Sequence, residues 1–225
     1  MPVRKIGLNS RSMTGRHGFT GQQYESALER DFLDLVAFDL NVERAETQPL
    51  KITYIGPDGE DHPYTPDALV WYRRDVLPAR DMPHLLVEVK YRQEYRDQFH
   101  ELKHRFRAAR RYARERGWQF RVLTEREIRT PYLKNAQFLR PYRDTQGDPA
   151  LEQALLNCVR EKREATLSTL LDHLSTTDTM RARYLSILLK LIASFQIGVD
   201  LTQKLDMNSR IWACYQPDIS HAGAI

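Results

Sequence analysis

The chain has 225 residues, 41% apolar and 28% charged, enough for a buried core and unlike a disordered segment or an integral membrane protein. Its longest apolar stretch, Tyr184 to Val199, is interrupted by Ser186, Lys190, Ser194 and Gln196, whereas a membrane helix needs about 18 uninterrupted apolar residues. The N-terminus, Met1-Pro2-Val3-Arg4-Lys5, carries no secretory core, and Cys158 and Cys214 are too few for a disulfide framework or a thiolate zinc site, so a soluble, intracellular protein is expected.

The net charge of +4 understates the basicity, because the charge is segregated. Between Lys90 and Arg143 there are 16 basic and 6 acidic residues, and the remainder holds 18 basic and 24 acidic ones. A basic middle third points to a polyanionic partner, with an ordinary solvated face as the plainer alternative.

Residues 1–20 are rich in Gly, Ser and Arg, with Arg4, Lys5, Arg11 and Arg16 and no acidic residue, and read as a mobile basic arm. Tyr24, Leu28, Phe32, Leu35 and Val36 fall at helical spacing and predict an amphipathic helix over about 22–38. Leu50, Ile52 and Tyr54 alternate with Lys51 and Thr53 as a strand does. The turn Gly56-Pro57-Asp58-Gly59 then leads to a second strand, about Tyr64 to Arg73, apolar on both faces and so expected to be central in its sheet.

His84 to Lys90 (HLLVEVK) reads as a buried strand, and Tyr95, Phe99, Leu102, Phe106, Ala109 and Ala113 mark one long helix ending at Gly117. Trp118 to Leu123 is a strand again, which makes a βαβ unit with parallel strands. The order predicts a mixed-sheet α/β core closing near residue 130, in a domain bounded at 21–143. Beyond the break at Gln146-Gly147-Asp148-Pro149, helical patterns followed by two short strands (197–201 and 209–213) predict a small, mainly helical domain of winged-helix type over 148–225.

The chemistry concentrates in Tyr64-Thr65-Pro66-Asp67 and Val87-Glu88-Val89-Lys90. On a strand Glu88 and Lys90 share a face, while Val87 and Val89 point into apolar packing. Two carboxylates and a lysine among apolar neighbours need a reason, because charges are seldom buried without one. A divalent metal supplies it: Asp67 and Glu88 are hard oxygen ligands, the Val89 carbonyl is a third, and Mg²⁺ favours such donors while keeping several waters. Lys90 would orient or help deprotonate a water, or stabilise charge on a phosphate. The alternative is a buried structural ion pair.

This arrangement resembles the PD-(D/E)xK nuclease superfamily, with its restriction-endonuclease-like core of helix, hairpin, E-x-K strand, crossover helix and strand over about residues 20–130. Many members place a carboxylate on the first helix, where Glu29 stands, with Glu25 one turn earlier as its competitor. More narrowly, the chain resembles TnsA, the endonuclease subunit of heteromeric cut-and-paste transposases, in Ser26-Ala27-Leu28-Glu29-Arg30-Asp31-Phe32, Phe38-Asp39, Gln48-Pro49-Leu50, Tyr64-Thr65-Pro66-Asp67, Val87-Glu88-Val89-Lys90-Tyr91 and Val122 to Ile128. Some members carry Gln where Glu88 stands.

The resemblance implies Glu29, Asp67, Glu88 and Lys90 as the active site, with metal at Asp67, Glu88, Val89 and Glu29. It implies Mg²⁺, for which Mn²⁺ can substitute, and double-stranded DNA at the transposon ends cut on the 5′ strands. It also implies a TnsB-type transposase cutting the 3′ strands, a TnsC-type AAA+ regulator bound through the C-terminal part, and a bacterial, DNA-associated location.

Arg96, Lys103, Arg107, Arg110 and Arg114 recur one position after the apolar stripe of the long helix and form a basic ridge suited to DNA phosphates, or simply a solvated face. His100-Glu101-Leu102-Lys103-His104 is a literal H-E-x-x-H, but Lys103 and Arg107 sit on the same face and no third zinc ligand follows. Competing functions are a non-catalytic subunit bridging DNA and protein, a stand-alone restriction or repair nuclease, and, remotely, a zinc protease.

Overall fold

The computed structural model describes residues 14–162 and 165–214. They divide into two compact units that meet between Arg129 and Thr130.

The first unit opens with strands β1 (Gly15–Arg16) and β2 (Gln23–Tyr24), paired antiparallel, followed by helix α1 (Ala27–Phe38). Part of the expected arm is therefore folded. His17 is buried and its Nε2 lies 2.9 Å from Asp34 on α1. Arg16 belongs to β1, while Arg4, Lys5 and Arg11 lie outside the described residues. The predicted helix from residue 22 starts only at Ala27, because Ser26 caps it: its hydroxyl accepts from the Glu29 amide at 3.1 Å and donates to the Glu29 carboxylate at 3.0 Å.

Next come β3 (Val42–Thr47), β4 (Ile52–Ile55), β5 (Asp61–Tyr64), β6 (Ala68–Tyr72) and β7 (Leu85–Val89). The expected hairpin is corrected here. β4 pairs with β5 in a separate two-stranded sheet, and Gly59, but not Gly56, takes the positive φ in the turn between them. Thr65-Pro66 divides the strand predicted as continuous from Tyr64, because proline offers no amide to a ladder. β6 pairs antiparallel with β3 on one side and β7 on the other, and so is central as expected.

The long helix is two helices, α2 (Arg92–Asp97) and α3 (Phe99–Arg114), broken at Gln98. Phe99, read as part of the buried stripe, is 46% exposed, whereas Leu102, Phe106, Ala109 and Ala113 are buried. Gly117 (φ +68) turns the chain into β8 (Gln119–Leu123), which runs parallel to β7. The sheet order is β3-β6-β7-β8. Leu69, Leu86, Phe120 and Val122 form one face of it with α3, a cluster where each fully buried aliphatic side chain contributes about 1.5–3 kcal/mol. Helix α4 (Glu125–Ile128), capped by Thr124 and Glu127, closes the unit.

The second unit holds α5 (Pro131–Arg143), α6 (Pro149–Lys162), β9 (Ala165–Thr166), α7 (Leu167–Leu174), α8 (Asp178–Ala193), β10 (Ile197–Val199) and β11 (Arg210–Ala213). Helix α5, read as the end of the first domain, groups with this unit and packs on α8. From α6 onward the order is helix, strand, helix, helix, strand, strand, with the sheet ordered β10-β11-β9, which is the winged-helix arrangement. The buried Asn135 on α5 ties down the loop before β11: it donates to the carbonyls of Leu201 (2.8 Å) and Gln203 (2.6 Å) and accepts from the Leu205 amide (3.1 Å).

Candidate active site

The β6–β7 pairing assembles the site. Its register sets Ala68 against Val87 and Leu69 against Leu86, so one step further Asp67 stands opposite Glu88. Val87 and Val89 are buried on the other face, as the alternation predicts. Asp67 is fixed at both ends, its carbonyl accepting from the Gln48 amide at 2.9 Å and its Oδ2 from the Val89 amide at 2.7 Å.

Glu88 is 5% exposed and its Oε2 accepts the Tyr64 hydroxyl at 2.6 Å. Lys90 lies just beyond β7, where its amide donates to the Leu123 carbonyl at 3.0 Å and continues the parallel ladder. Its Nζ donates to Glu94 of α2 at 2.9 Å. Glu29 faces the same cavity from the first turn of α1, and its second carboxylate oxygen accepts from the Glu25 amide at 2.9 Å. Glu25 is held by Gln48, whose Nε2 donates to it at 2.8 Å.

Together these residues line a cavity of about 580 Å³, with Lys51, Tyr64, Tyr91 and Arg105 also on its walls. Burial is the main force on two of its carboxyls, Asp67 and Glu88. It raises Asp67 well above the ordinary value, helped by repulsion from Glu88 and Glu29 and opposed by the Val89 hydrogen bond and the Lys90 charge. Burial likewise raises Glu88, against the Tyr64 hydrogen bond and the charges of Lys90 and Arg105. Burial and the adjacent Glu88 charge push the Tyr64 phenol far up. Of the two helix candidates, Glu29 is the one whose charge bears on both Asp67 and Glu88.

An all-oxygen set of mutually repelling carboxylates, Glu88 buried and Asp67 half-buried, is the donor chemistry a hard divalent cation takes. Asp67 and Glu88 fit such an ion, with the Val89 carbonyl available on the same strand. Among the described residues no three His, Cys, Asp or Glu side chains converge as a metal-holding group, so Glu29 stands near the pair without closing a triad. His100 and His104 of α3 gather no third ligand either.

The basic ridge is divided by the break at Gln98, with Arg96 on α2 and Lys103, Arg107, Arg110 and Arg114 on α3. Arg96, Arg107, Arg110 and Arg114 are exposed and Lys103 is half-buried. The sequence reading missed Tyr64, Glu94 and Arg105. Arg105 is adjacent to Phe106 on the side of the stripe away from the ridge, a flank that periodicity marks but does not assign.

Two family models match the chain in tandem. The TnsA-like endonuclease N-terminal model covers residues 39–125 and so includes Asp67, Glu88 and Lys90, with Glu29 lying ahead of it; the TnsA endonuclease C-terminal model covers residues 127–201. A comparison with curated proteins finds no match. No helix among the described residues is long and apolar enough to cross a membrane. The two matched stretches succeed each other within a few residues of the division between the compact units, and they carry the facing carboxylates of the β6–β7 pair in the first: the chain belongs to the TnsA endonuclease family.

Proposed function

We propose that this chain is the subunit that cuts the 5′ strands at the transposon ends during excision, by Mg²⁺-dependent hydrolysis of a phosphodiester. A TnsB-type transposase processes the 3′ strands and a TnsC-type AAA+ regulator engages the C-terminal unit. The observation that carries this reading is the placement of Asp67 opposite Glu88, with Lys90 two residues further on, just beyond the end of β7 and lining the same cavity.

Asp67, Glu88 and the Val89 carbonyl would hold the cation, with Glu29 acting in its outer surroundings. When bound, the ion supplies an activated water and neutralises charge on the phosphate. Lys90 orients the attacking water or takes up charge on the phosphate, and Glu94 sets the position of its ammonium. The water oxygen bonds to phosphorus, the bond to the 3′-oxygen breaks, and the products carry 5′-phosphate and 3′-hydroxyl ends. Positioning and electrostatics supply most of the rate.

Duplex DNA is held by Arg96, Lys103, Arg107, Arg110 and Arg114, none of which has a carboxylate partner among the described residues. The cations of α8 are different: Arg183 pairs with Asp148 at 2.7 Å, Lys190 with Glu152 at 2.6 Å, and Arg181 with Asp172. That contrast supports DNA contact through the first unit and protein contact through the second.

The test is strand-resolved excision from a labelled transposon plasmid, with transposase and regulator present, comparing the parent with Asp67→Ala. The expected result is loss of the 5′-strand nicks alone. Unchanged nicks on both strands would make the cluster structural and the chain a bridging subunit.

A further inference from the structure

Among the described residues of α3, Arg105 alone lines the catalytic cavity. Lys103, Arg107, Arg110 and Arg114 do not reach its walls. Among the described residues, the Arg105 Nε is buried without a hydrogen-bond partner and the guanidinium forms no ion pair. Yet it is close enough to Glu88 and Tyr64 for its charge to favour the ionised form of each.

This is an unusual state for a guanidinium in a cavity also walled by Glu25, Glu29, Asp67, Glu88 and Glu94. Arginine presents five N–H donors in a rigid fork matched to oxyanions, and a buried donor left unmet costs free energy. The obvious acceptor is already engaged, since the Glu88 Oε2 takes the Tyr64 hydroxyl at 2.6 Å. The other cation on the inner wall, Lys90, is committed to Glu94 at 2.9 Å. Lys51 stands exposed at the rim. Arg105 is thus a fork of donors held by the field of Glu88 but spent on no carboxylate.

We infer that Arg105 is a catalytic residue that binds the scissile phosphate, its guanidinium donating to a non-bridging oxygen of the phosphodiester. This rests on the nuclease reading of the cavity and adds to it a residue outside the Asp67-Glu88-Lys90 cluster. The guanidinium keeps its proton throughout. As the water oxygen gives up a proton to solvent and bonds to phosphorus, and the bond to the 3′-oxygen breaks with that oxygen taking a proton from solvent, Arg105 compensates the charge accumulating on the non-bridging oxygens. It also offsets the repulsion between that phosphate and the surrounding carboxylates, which would otherwise oppose substrate entry.

The experiment uses the full chain with its transposase and regulator on DNA whose scissile phosphate is replaced by each phosphorothioate diastereomer in turn. The parent should cut the two at unequal rates, because sulfur is a poor acceptor at the oxygen Arg105 holds. In Arg105→Gln, cleavage of normal DNA should fall about 10²- to 10³-fold and the inequality should shrink. In binding assays on a short transposon-end duplex, the slope of log affinity against log salt should fall by about one. If Arg105→Gln loses the parent's cooperative melt, Arg105→Lys carries the same comparison, since it keeps the charge and loses the fork. An Arg105→Gln chain that cuts normal DNA as the parent does, or either folded variant that keeps the parent's ratio between diastereomers, overturns the assignment and leaves the nuclease reading standing. A parent chain that leaves the 5′ strands uncut overturns both.

Discussion

Tyr64 donates its hydroxyl to the Oε2 of Glu88 at 2.6 Å, and both groups are buried. The contact joins the short β4–β5 sheet to the central strand β7, so the small hairpin positions a carboxylate of the site. That hydrogen bond lowers the Glu88 pKa against the burial that raises it. Tyr64→Phe removes the donor and keeps the ring, so Glu88 should become harder to ionise. The acidic limb of the cleavage pH profile should move to higher pH, with a rate loss of about tenfold near neutrality, of the order seen when an outer partner of a metal ligand is removed. An unmoved limb with a reduced rate would assign Tyr64 to packing alone.

Asp67→Asn should abolish 5′-strand cleavage and stabilise the metal-free protein. Burial and the repulsion from Glu88 and Glu29 disfavour the Asp67 anion, and the amide removes that charge at nearly constant volume. A rise in melting temperature of a few degrees is expected, measured without divalent ions.

The same raised carboxyls set the pH dependence of stability. A group whose folded pKa lies above its unfolded value stabilises the fold when protonated. That contribution is fully present below about 4, the unfolded carboxyl value, and is lost as pH rises through the raised values of Asp67 and Glu88. In EDTA, melting curves should therefore show the site's contribution declining from acidic to neutral pH, and Asp67→Asn should flatten that decline. Millimolar Mg²⁺ should restore stability at neutral pH and do little in acid, where binding competes with protons.

Glu94→Gln should be milder than any change at Lys90. Lys90→Ala removes the ammonium and should leave cleavage at background with the melt unchanged. Glu94→Gln keeps an acceptor 2.9 Å from Nζ but not its charge, so a loss of about three- to tenfold is expected, roughly the 1 kcal/mol scale of a partly exposed pair. Single-turnover rates in the reconstituted complex distinguish the two.

Asp31 tests the scaffold. It is buried on α1 and accepts from Arg30 at 2.9 Å and from Arg129 at 2.8 Å, while Arg129 also reaches the Tyr91 hydroxyl at 3.3 Å. Asp31→Ala removes the carboxylate that the two arginines share, at a cost of about 1–3 kcal/mol. Denaturant melts should show that loss, with wild-type DNA affinity retained.

The residues that announce themselves in the sequence are those whose surroundings contradict them: two acids and a lysine on apolar strands, and a stretch from β7 to β8 whose periods change from two to 3.6 and back. The central position of β6, the parallel β7–β8 pair and the helices and closing hairpin of the second unit follow from such patterns. Strand β3 does not, because Val42-Glu43-Arg44-Ala45-Glu46-Thr47 lacks a clean alternation and its pairing shifts register between Val42 and Arg44. The close of the core near residue 130 follows from the end of its strand–helix–strand order, but the side on which α5 falls does not, because Pro131 merely opens another helix, whereas Gly147 and Pro149 punctuate the chain more loudly further on. Arg105 is hidden for another reason: what sets it apart is a missing partner, and only a packed cavity reveals which donors have gone unanswered.

One consequence of the β7 alternation bears on how this enzyme can change over generations. Glu88 alternates with Val87 and Val89, which are buried on the opposite side, and Lys90 follows directly at the end of the strand. Deleting or inserting a single residue within Leu85–Val89 would exchange the two sets, driving charges into hydrocarbon and valines into the cavity. Hydrophobic core and reactive groups are therefore inherited as one unit. Length variation among descendants should fall instead in the segment around Arg74–Asp81, exposed but for Val76 and the buried Ala79, where an added residue leaves the parity of the strand untouched.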